Sequence, residues 1–268
     1  MSETRLVTAA ALLGLVSLLL WRGSPLVLQG VFGAITLLAA WEWAGLSRGL
    51  RGARRYLLLI ALGGIMLALH ALPATGASVA FALALLWWML ALGLVVRYPA
   101  VPDWLDHPVA QAIIIIVALA PAWLALTRLD QASRGLLLLC LALVWAADSG
   151  AYAVGRRFGR RKLCPQVSPG KTLEGGCGGL VAAAVAGLIG GIALGLRGRW
   201  LVALVGLTVA CAAVSVVGDL AESLFKRRAG VKDSGRLLPG HGGVLDRVDA
   251  LIAAAPLFAL TAPLLVRG

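Results

Sequence analysis

Long apolar runs alternate with short polar breaks, many of them basic, along the whole chain. The runs are approximately Arg5–Trp21, Pro25–Leu46, Tyr56–Leu72, Ser78–Val96, Val109–Leu126, Gly135–Val154, Gly179–Leu196, Trp200–Val217 and Val248–Val266. Each is near the ~20 residues that a helix needs to cross the hydrocarbon core of a bilayer. The pattern therefore predicts an all-α, polytopic integral membrane protein with about nine transmembrane helices. Arg5 ahead of a short apolar core resembles the start of a signal peptide, but no small-x-small cleavage site precedes Trp21-Arg22, so the first run reads as an anchor.

The basic breaks predict the topology. Arg48, Arg51, Arg54 and Arg55 follow the second run, Arg156 to Lys171 the sixth, and Lys226 to Arg247 the eighth. All three follow even-numbered runs and so lie on one side. With Arg5 and Arg97 that side holds most of the 24 Lys and Arg, which the positive-inside rule assigns to the cytoplasm. The N-terminus is then inside and the C-terminus outside. Trp21, Trp104 and Trp200 sit at run ends, where aromatic belts form, whereas Trp87 and Trp88 are explained only by packing. Glu42, between Trp41 and Trp43 near the cytoplasmic end of the second run, reads as an interfacial acid whose change to Gln loses little. The Pro99–His107 break reads as a solvated connector, and the isolated His70 and His107 as structural rather than metal-binding.

Composition narrows the class further. Of 268 residues, 60% are hydrophobic and 13% charged, against about a quarter charged in soluble domains. The net charge of +12 does not call for nucleic acid, because the bases cluster between apolar runs, where topology and anionic lipid favour them. Cys140, Cys164, Cys177 and Cys211 contain no CxxC pair and imply neither disulfides nor zinc.

One stretch breaks the pattern. Gly218 to Asp249 holds five of the 12 acids and six of the 24 bases. Centring one such charge in lipid costs about 2.5–3.5 kcal/mol, so the stretch must line a wet cavity or lie at the surface. Asp219 and Glu222 are one helical turn apart, as are Asp246 and Asp249, so each pair can aim two carboxylates at one point. Four carboxylates brought together repel unless a cation neutralises them, and oxygen-only donors select a hard ion such as Mg²⁺, with room for a second cation. Asp148 and Tyr152 share a face at the end of the sixth run, directly before a second charged block, Gly155 to Gly179. Ser168-Pro169-Gly170-Lys171-Thr172 within it is not a P-loop, because Pro165 stands where the required glycine would be. Lys171, Thr172 and the basic run are nevertheless suited to gripping a triphosphate. Gly187, Gly191 and Gly195 repeat every four residues, a spacing for close helix packing.

The order and spacing of Ser223, Lys226, Arg227, Lys232, Asp233, Gly235, Leu238, Pro239, His241, Gly242, Gly243, Asp246, Arg247 and Asp249 resemble the signature of the phosphatidate cytidylyltransferases. The D-x-x-A-Y-x-x-G-R-x-F-G-R and S-P-x-K-T pattern from Asp148 to Thr172 is similar to the segment implicated in holding the nucleotide in that family. The likeness covers roughly the C-terminal half, while the N-terminal half matches only in being repeatedly hydrophobic. The chain accordingly divides into residues 1–130, with spans 1–5, and residues 131–268, a catalytic region with spans 6–9 and two cytoplasmic loops.

The resemblance implies that a phosphate oxygen of phosphatidate attacks the α-phosphorus of CTP, giving CDP-diacylglycerol and pyrophosphate for phospholipid synthesis. It implies Lys226, Arg227, Lys232 and Arg247 as catalytic groups holding phosphates, His241 as a further catalytic candidate that binds phosphate, shuttles a proton or only orders its loop, and Asp148, Tyr152, Ser168, Lys171, Thr172 and Ser223 as substrate-binding groups. Asp219, Asp246, Asp249 and Glu222 are the expected metal ligands, with Asp219 and Asp246 sharing the ion. The expected partners are CTP, phosphatidic acid and membrane lipid, with no nucleic acid and a homodimer as the oligomer to test. The expected location is a bacterial inner membrane, with the site facing the cytoplasm. A CTP-dependent polyprenol or phytol kinase and an ion-coupled transporter remain as alternatives. The CDP-alcohol phosphotransferase pattern is absent.

Overall fold

The computed structural model describes residues 20, 22–47, 49–237 and 242–266. Among these, eight helices are long and apolar enough to cross a membrane: α1 (Pro25–Leu46), α2 (Ala53–Ala71), α3 (Ala74–Arg97), α4 (Pro108–Ala132), α5 (Arg134–Phe158), α6 (Leu173–Ala193), α7 (Gly198–Arg228) and α8 (Leu245–Val266). Apart from Leu20, the expected first span lies outside the described residues. Helix starts are written locally. Ser24 accepts the Val27 amide ahead of Pro25, Ser133 accepts that of Gly135, and Thr172 accepts that of Gly175. Side-chain oxygens at this position satisfy amides that the helix leaves orphaned, and a proline in the first turn gives up only an N–H that had no partner. His107 fills the same capping role before α4, with its ring nitrogen 3.4 Å from the Val109 amide.

The helices are apolar both inside and out. Ile60 and Val202 are 71% and 73% exposed, an arrangement costing about 1.5–3 kcal/mol per side chain in water but nothing against lipid tails. The protein is therefore integral to a membrane. Inside, α4 is central and packs on α1, α2, α3, α5 and α8, with Ile115, Leu119, Leu124 and Leu129 fully buried. Trp87 and Trp88 are buried in this interior.

Several helices extend beyond their apolar runs, and two of the differences bring long charged stretches into regular structure. Helix α7 continues through Gly218 to Arg228, a run of 31 residues, because the apolar helix already supplies the nucleus that its charged extension needs. The block after α5 is not an open loop. Its middle forms a hairpin, β1 (Lys162–Cys164) antiparallel to β2 (Ser168–Thr172), and α6 starts at Leu173. The Glu174 carboxylate accepts the Arg160 and Arg161 amides and pins the hairpin to α6.

Several glycines let α5 and α6 approach closely. A Cβ on Gly178 would stand 2.5 Å from the Val154 side chain, and one on Gly179 2.8 Å from the Ala147 carbonyl. Of the four-residue repeat, Gly187 and Gly191 pack against α7, but Gly195 has a φ of 80° with open space around it and serves to end the helix. Gly178→Val is expected to lower stability by about 1–3 kcal/mol through overpacking, whereas Gly206→Ala, which meets nothing within 4 Å, leaves it unchanged or slightly raised. Thermal unfolding of the two variants in detergent checks the pair.

The loops after α1, α3, α5 and α7 gather at one end of the bundle. Gly49 abuts Pro108, Arg228 forms a two-point ion pair with Asp106, and Arg227 donates to the Val167 carbonyl in the hairpin turn at 3.2 Å. The Pro99–His107 segment is thus docked rather than a freely solvated connector: it forms a 3-10 turn, Asp103–Asp106, with Leu105 fully buried. At the opposite end, Arg128 caps the α2 terminus through the His70 and Leu72 carbonyls.

Candidate active site

Two groups of polar side chains meet at the end where the four loops gather. The first lines a cavity of about 400 Å³ between α5, α6, α7 and β2, within the about 300–1,000 Å³ usual for small-molecule pockets. Asp148 and Tyr152 reach it from one face of α5, Lys171 and Thr172 from the end of β2, and Asp219 from α7. The Lys171 ammonium lies 2.6 Å from the Asp219 carboxylate, whose other oxygen accepts the Ser223 hydroxyl at 3.4 Å. The Thr172 hydroxyl caps α6 while lining the same space. Gly155, Gly175, Gly176 and Gly179 form close walls, Arg156 contributes another positive charge, and Leu180, Ala212 and Val216 add apolar lining.

The second group ties the end of α7 to the start of α8. Lys226, 8% exposed, donates to Asp246 at 2.6 Å and also pairs with Glu222 one turn earlier. Asp246 accepts the Gly243 amide at 2.8 Å and the Ser234 amide at 3.0 Å. Asp249 joins the two groups: it is 8% exposed, packs where α7 and α8 touch at Gly218, and feels the charges of Asp219, Glu222, Lys171 and Lys226.

The sequence-assigned residues thus fall into different places. Asp148, Tyr152, Lys171, Thr172 and Asp219 share the cavity; Glu222, Lys226 and Asp246 form the adjacent ion-paired cluster, with Ser223 and Asp249 between them. Ser168 opens β2 opposite Cys164, and Arg227 anchors the hairpin. Lys232 is exposed on the following loop. Arg247 lines a separate apolar cavity of about 180 Å³ among α1, α4, α5 and α8. His241 lies outside the described residues.

Glu42 corrects the sequence reading outright. It is not an interfacial acid: it is 3% exposed, and one oxygen accepts the Ser234 hydroxyl at 3.1 Å and the Leu245 amide at 2.8 Å. Its partners lie about two hundred residues away along the chain, so the Trp-Glu-Trp sequence gives no local sign of them.

The carboxylates here are the donor type that hard cations take. The acids are oxygen donors only, and they outnumber the two lysines facing them. Both Glu222 oxygens are buried without a well-directed hydrogen bond, and such a carboxylate is costly unless a positive charge compensates it. Lysines hold part of this role, with Asp219 and Asp246 in different ion pairs. Among the described residues no three acids, histidines or cysteines are drawn round one point.

This arrangement has relatives across the full length of the chain. The profile described as "Cytidylyltransferase family" matches residues 3–265. A protein of Pseudomonas aeruginosa named phosphatidate cytidylyltransferase is 42% identical over 267 residues, spanning 97% of this chain and 96% of its own. One of the same name from Haemophilus influenzae is 38% identical over 282 aligned positions, covering 96% and 97% of the two chains. A third, from Brucella suis, reaches 52% over 119 residues, 44% of this chain and 43% of its own. The likeness therefore extends through the N-terminal half as well, beyond the charged motifs.

Proposed function

The chain belongs to the cytidylyltransferase family, and from that premise we infer that it transfers a cytidylyl group from CTP to phosphatidic acid, giving CDP-diacylglycerol and pyrophosphate. One observation carries the reading: a cavity that gathers Asp148, Lys171, Thr172 and Asp219 in its wall, next to the Lys226–Asp246 cluster, opens among membrane-spanning helices. A nucleotide entering from water and a phosphate carried on a lipid both require such a place.

In this reading the triphosphate occupies the cavity, with Lys171 and Arg156 offsetting its charge and Tyr152 contributing a hydroxyl. The lipid phosphate approaches beside Lys226. A phosphate oxygen of phosphatidate forms the new bond to the α-phosphorus, the bond from that phosphorus to the β-phosphate oxygen breaks, and pyrophosphate leaves with the electron pair. Phosphatidate is already anionic, so no base has to remove a proton. Asp219 and Asp249 would be the residues to hold Mg²⁺, with Glu222 beside Asp249 and with Asp246 fixing Lys226. A divalent cation held there would offset the charge of the phosphates and the charge that develops on the leaving group. The basic loops at this end of the bundle support a site facing the cytoplasm and a location in the inner membrane of a bacterium.

Labelled CTP separates this reading from the kinase alternative. With purified protein and phosphatidic acid in micelles, label from the α-phosphate is expected in the lipid product and label from the γ-phosphate in pyrophosphate. Transfer of γ-label to a lipid alcohol would establish a kinase instead, and ion flux into liposomes without CTP consumption would establish a transporter.

A further inference from the structure

Glu42 belongs to α1, remote in sequence from the cavity, yet its carboxylate is enclosed by the segment joining α7 to α8. Gly235 and Gly243 lie directly against it, so that a Cβ at either position would overlap the carboxyl group. One oxygen accepts the Ser234 hydroxyl and the amide of Leu245, the first residue of α8. An acidic group here both satisfies an orphan amide and complements the positive end of the helix. The same segment supplies the two amides that Asp246 accepts, and Ser234 bridges the carboxylates by giving its hydroxyl to Glu42 and its amide to Asp246. Asp246 in turn orients Lys226. The other Glu42 oxygen is buried with no hydrogen-bond partner among the described residues, a cost tolerated only where the position is held for another reason.

We propose that Glu42 is a positioning residue for the transfer reaction: its buried carboxylate clamps the glycine-rich segment and the start of α8, and so fixes Asp246 and Lys226 at the reacting phosphates. This inference rests on the cytidylyltransferase reading. It makes the N-terminal half a working part of the site, acting at the chemical step and not on nucleotide affinity.

The test compares wild type, Glu42→Gln, Glu42→Ala, Ser234→Ala and the Glu42→Gln/Ser234→Ala double variant, all in detergent with phosphatidic acid and CTP. Glu42→Gln keeps the shape and one acceptor but loses the charge. It is expected to lower kcat about 10- to 100-fold while leaving KM for CTP within about twofold, the pattern of misplaced groups rather than lost binding. Ser234→Ala is expected to lower kcat less, and the double variant to add little to Glu42→Gln, because both remove one contact. Glu42→Ala should lose more. Hydrogen exchange supplies a readout that needs no turnover: residues 230–246 should exchange faster in Glu42→Gln while α4 and α5 are unchanged. Wild-type kcat in Glu42→Gln, a change in KM alone, or additive losses in the double variant would each overturn the proposal. Unchanged exchange in residues 230–246 would overturn it even if the variant were inactive. Faster exchange in Glu42→Gln with no CTP-dependent product from wild type would instead count against the functional reading, leaving the clamp itself supported.

Discussion

Asp246→Asn is expected to cut CTP-dependent product formation by at least about a hundredfold while the protein still inserts and folds. The carboxylate faces Lys226 at 2.6 Å and accepts two backbone amides. Its side chain is only 8% exposed and that of Lys226 11%. An asparagine matches the shape but offers one acceptor, and its NH2 group opposes either the ammonium or the amides. Removing one partner from a buried pair costs about 3–5 kcal/mol, and about 3 kcal/mol of misdirected transition-state contact is already two decades in rate. Glu222, which also pairs with Lys226, limits the damage to folding. The measurement is turnover per folded molecule, with folding judged by size-exclusion profile and thermal unfolding in detergent. Near-wild-type turnover would remove Asp246 from the machinery.

Asp219→Asn is the second large effect, with the opposite signature to Lys171→Met although the two side chains touch at 2.6 Å. If Asp219 helps to hold the cation, its amide should lower turnover about a hundredfold and raise the Mg²⁺ concentration needed for half-maximal rate. If Lys171 offsets phosphate charge, its loss should raise KM for CTP about tenfold or more and leave the Mg²⁺ requirement nearly unchanged, because a charged hydrogen bond to phosphate is worth about 1.5–3 kcal/mol. Mg²⁺ titrations at saturating CTP, and CTP titrations at saturating Mg²⁺, separate the two. A shared signature would mean that the pair acts only as a structural ion bridge.

What could be read from the chain follows from the range of the physics involved. The spans are legible because lipid imposes a length and polarity requirement on every segment by itself; α1 matches its sequence boundaries at both ends. Asp148, Tyr152 and Asp219 are legible because a charge or hydroxyl next to an apolar helix needs a reason. The continuation of α7 through Arg228 was obscured because charge there looks like a loop until the helix beneath it is known. Glu42 was misread because its partners, Ser234 and Leu245, come near only after the bundle closes. The hairpin was hidden by its brevity: three and five residues, held by Glu174 and Arg227 rather than by a pattern of their own.

With the reaction placed at Asp219 and Lys226, as proposed, the length of α7 sets its working depth. From Gly198 to Asp219 the helix climbs about 32 Å, close to the ~30 Å thickness of the hydrocarbon layer, so an upright α7 delivers Asp219 to the level of the phospholipid headgroups and carries Lys226 one to two turns above it. A diacyl substrate can thus react where it already floats, with its tails still dissolved among its neighbours. Lifting it out would cost about 0.8 kcal/mol for each methylene exposed, a barrier that this rigid post removes by bringing the chemistry down to the lipid.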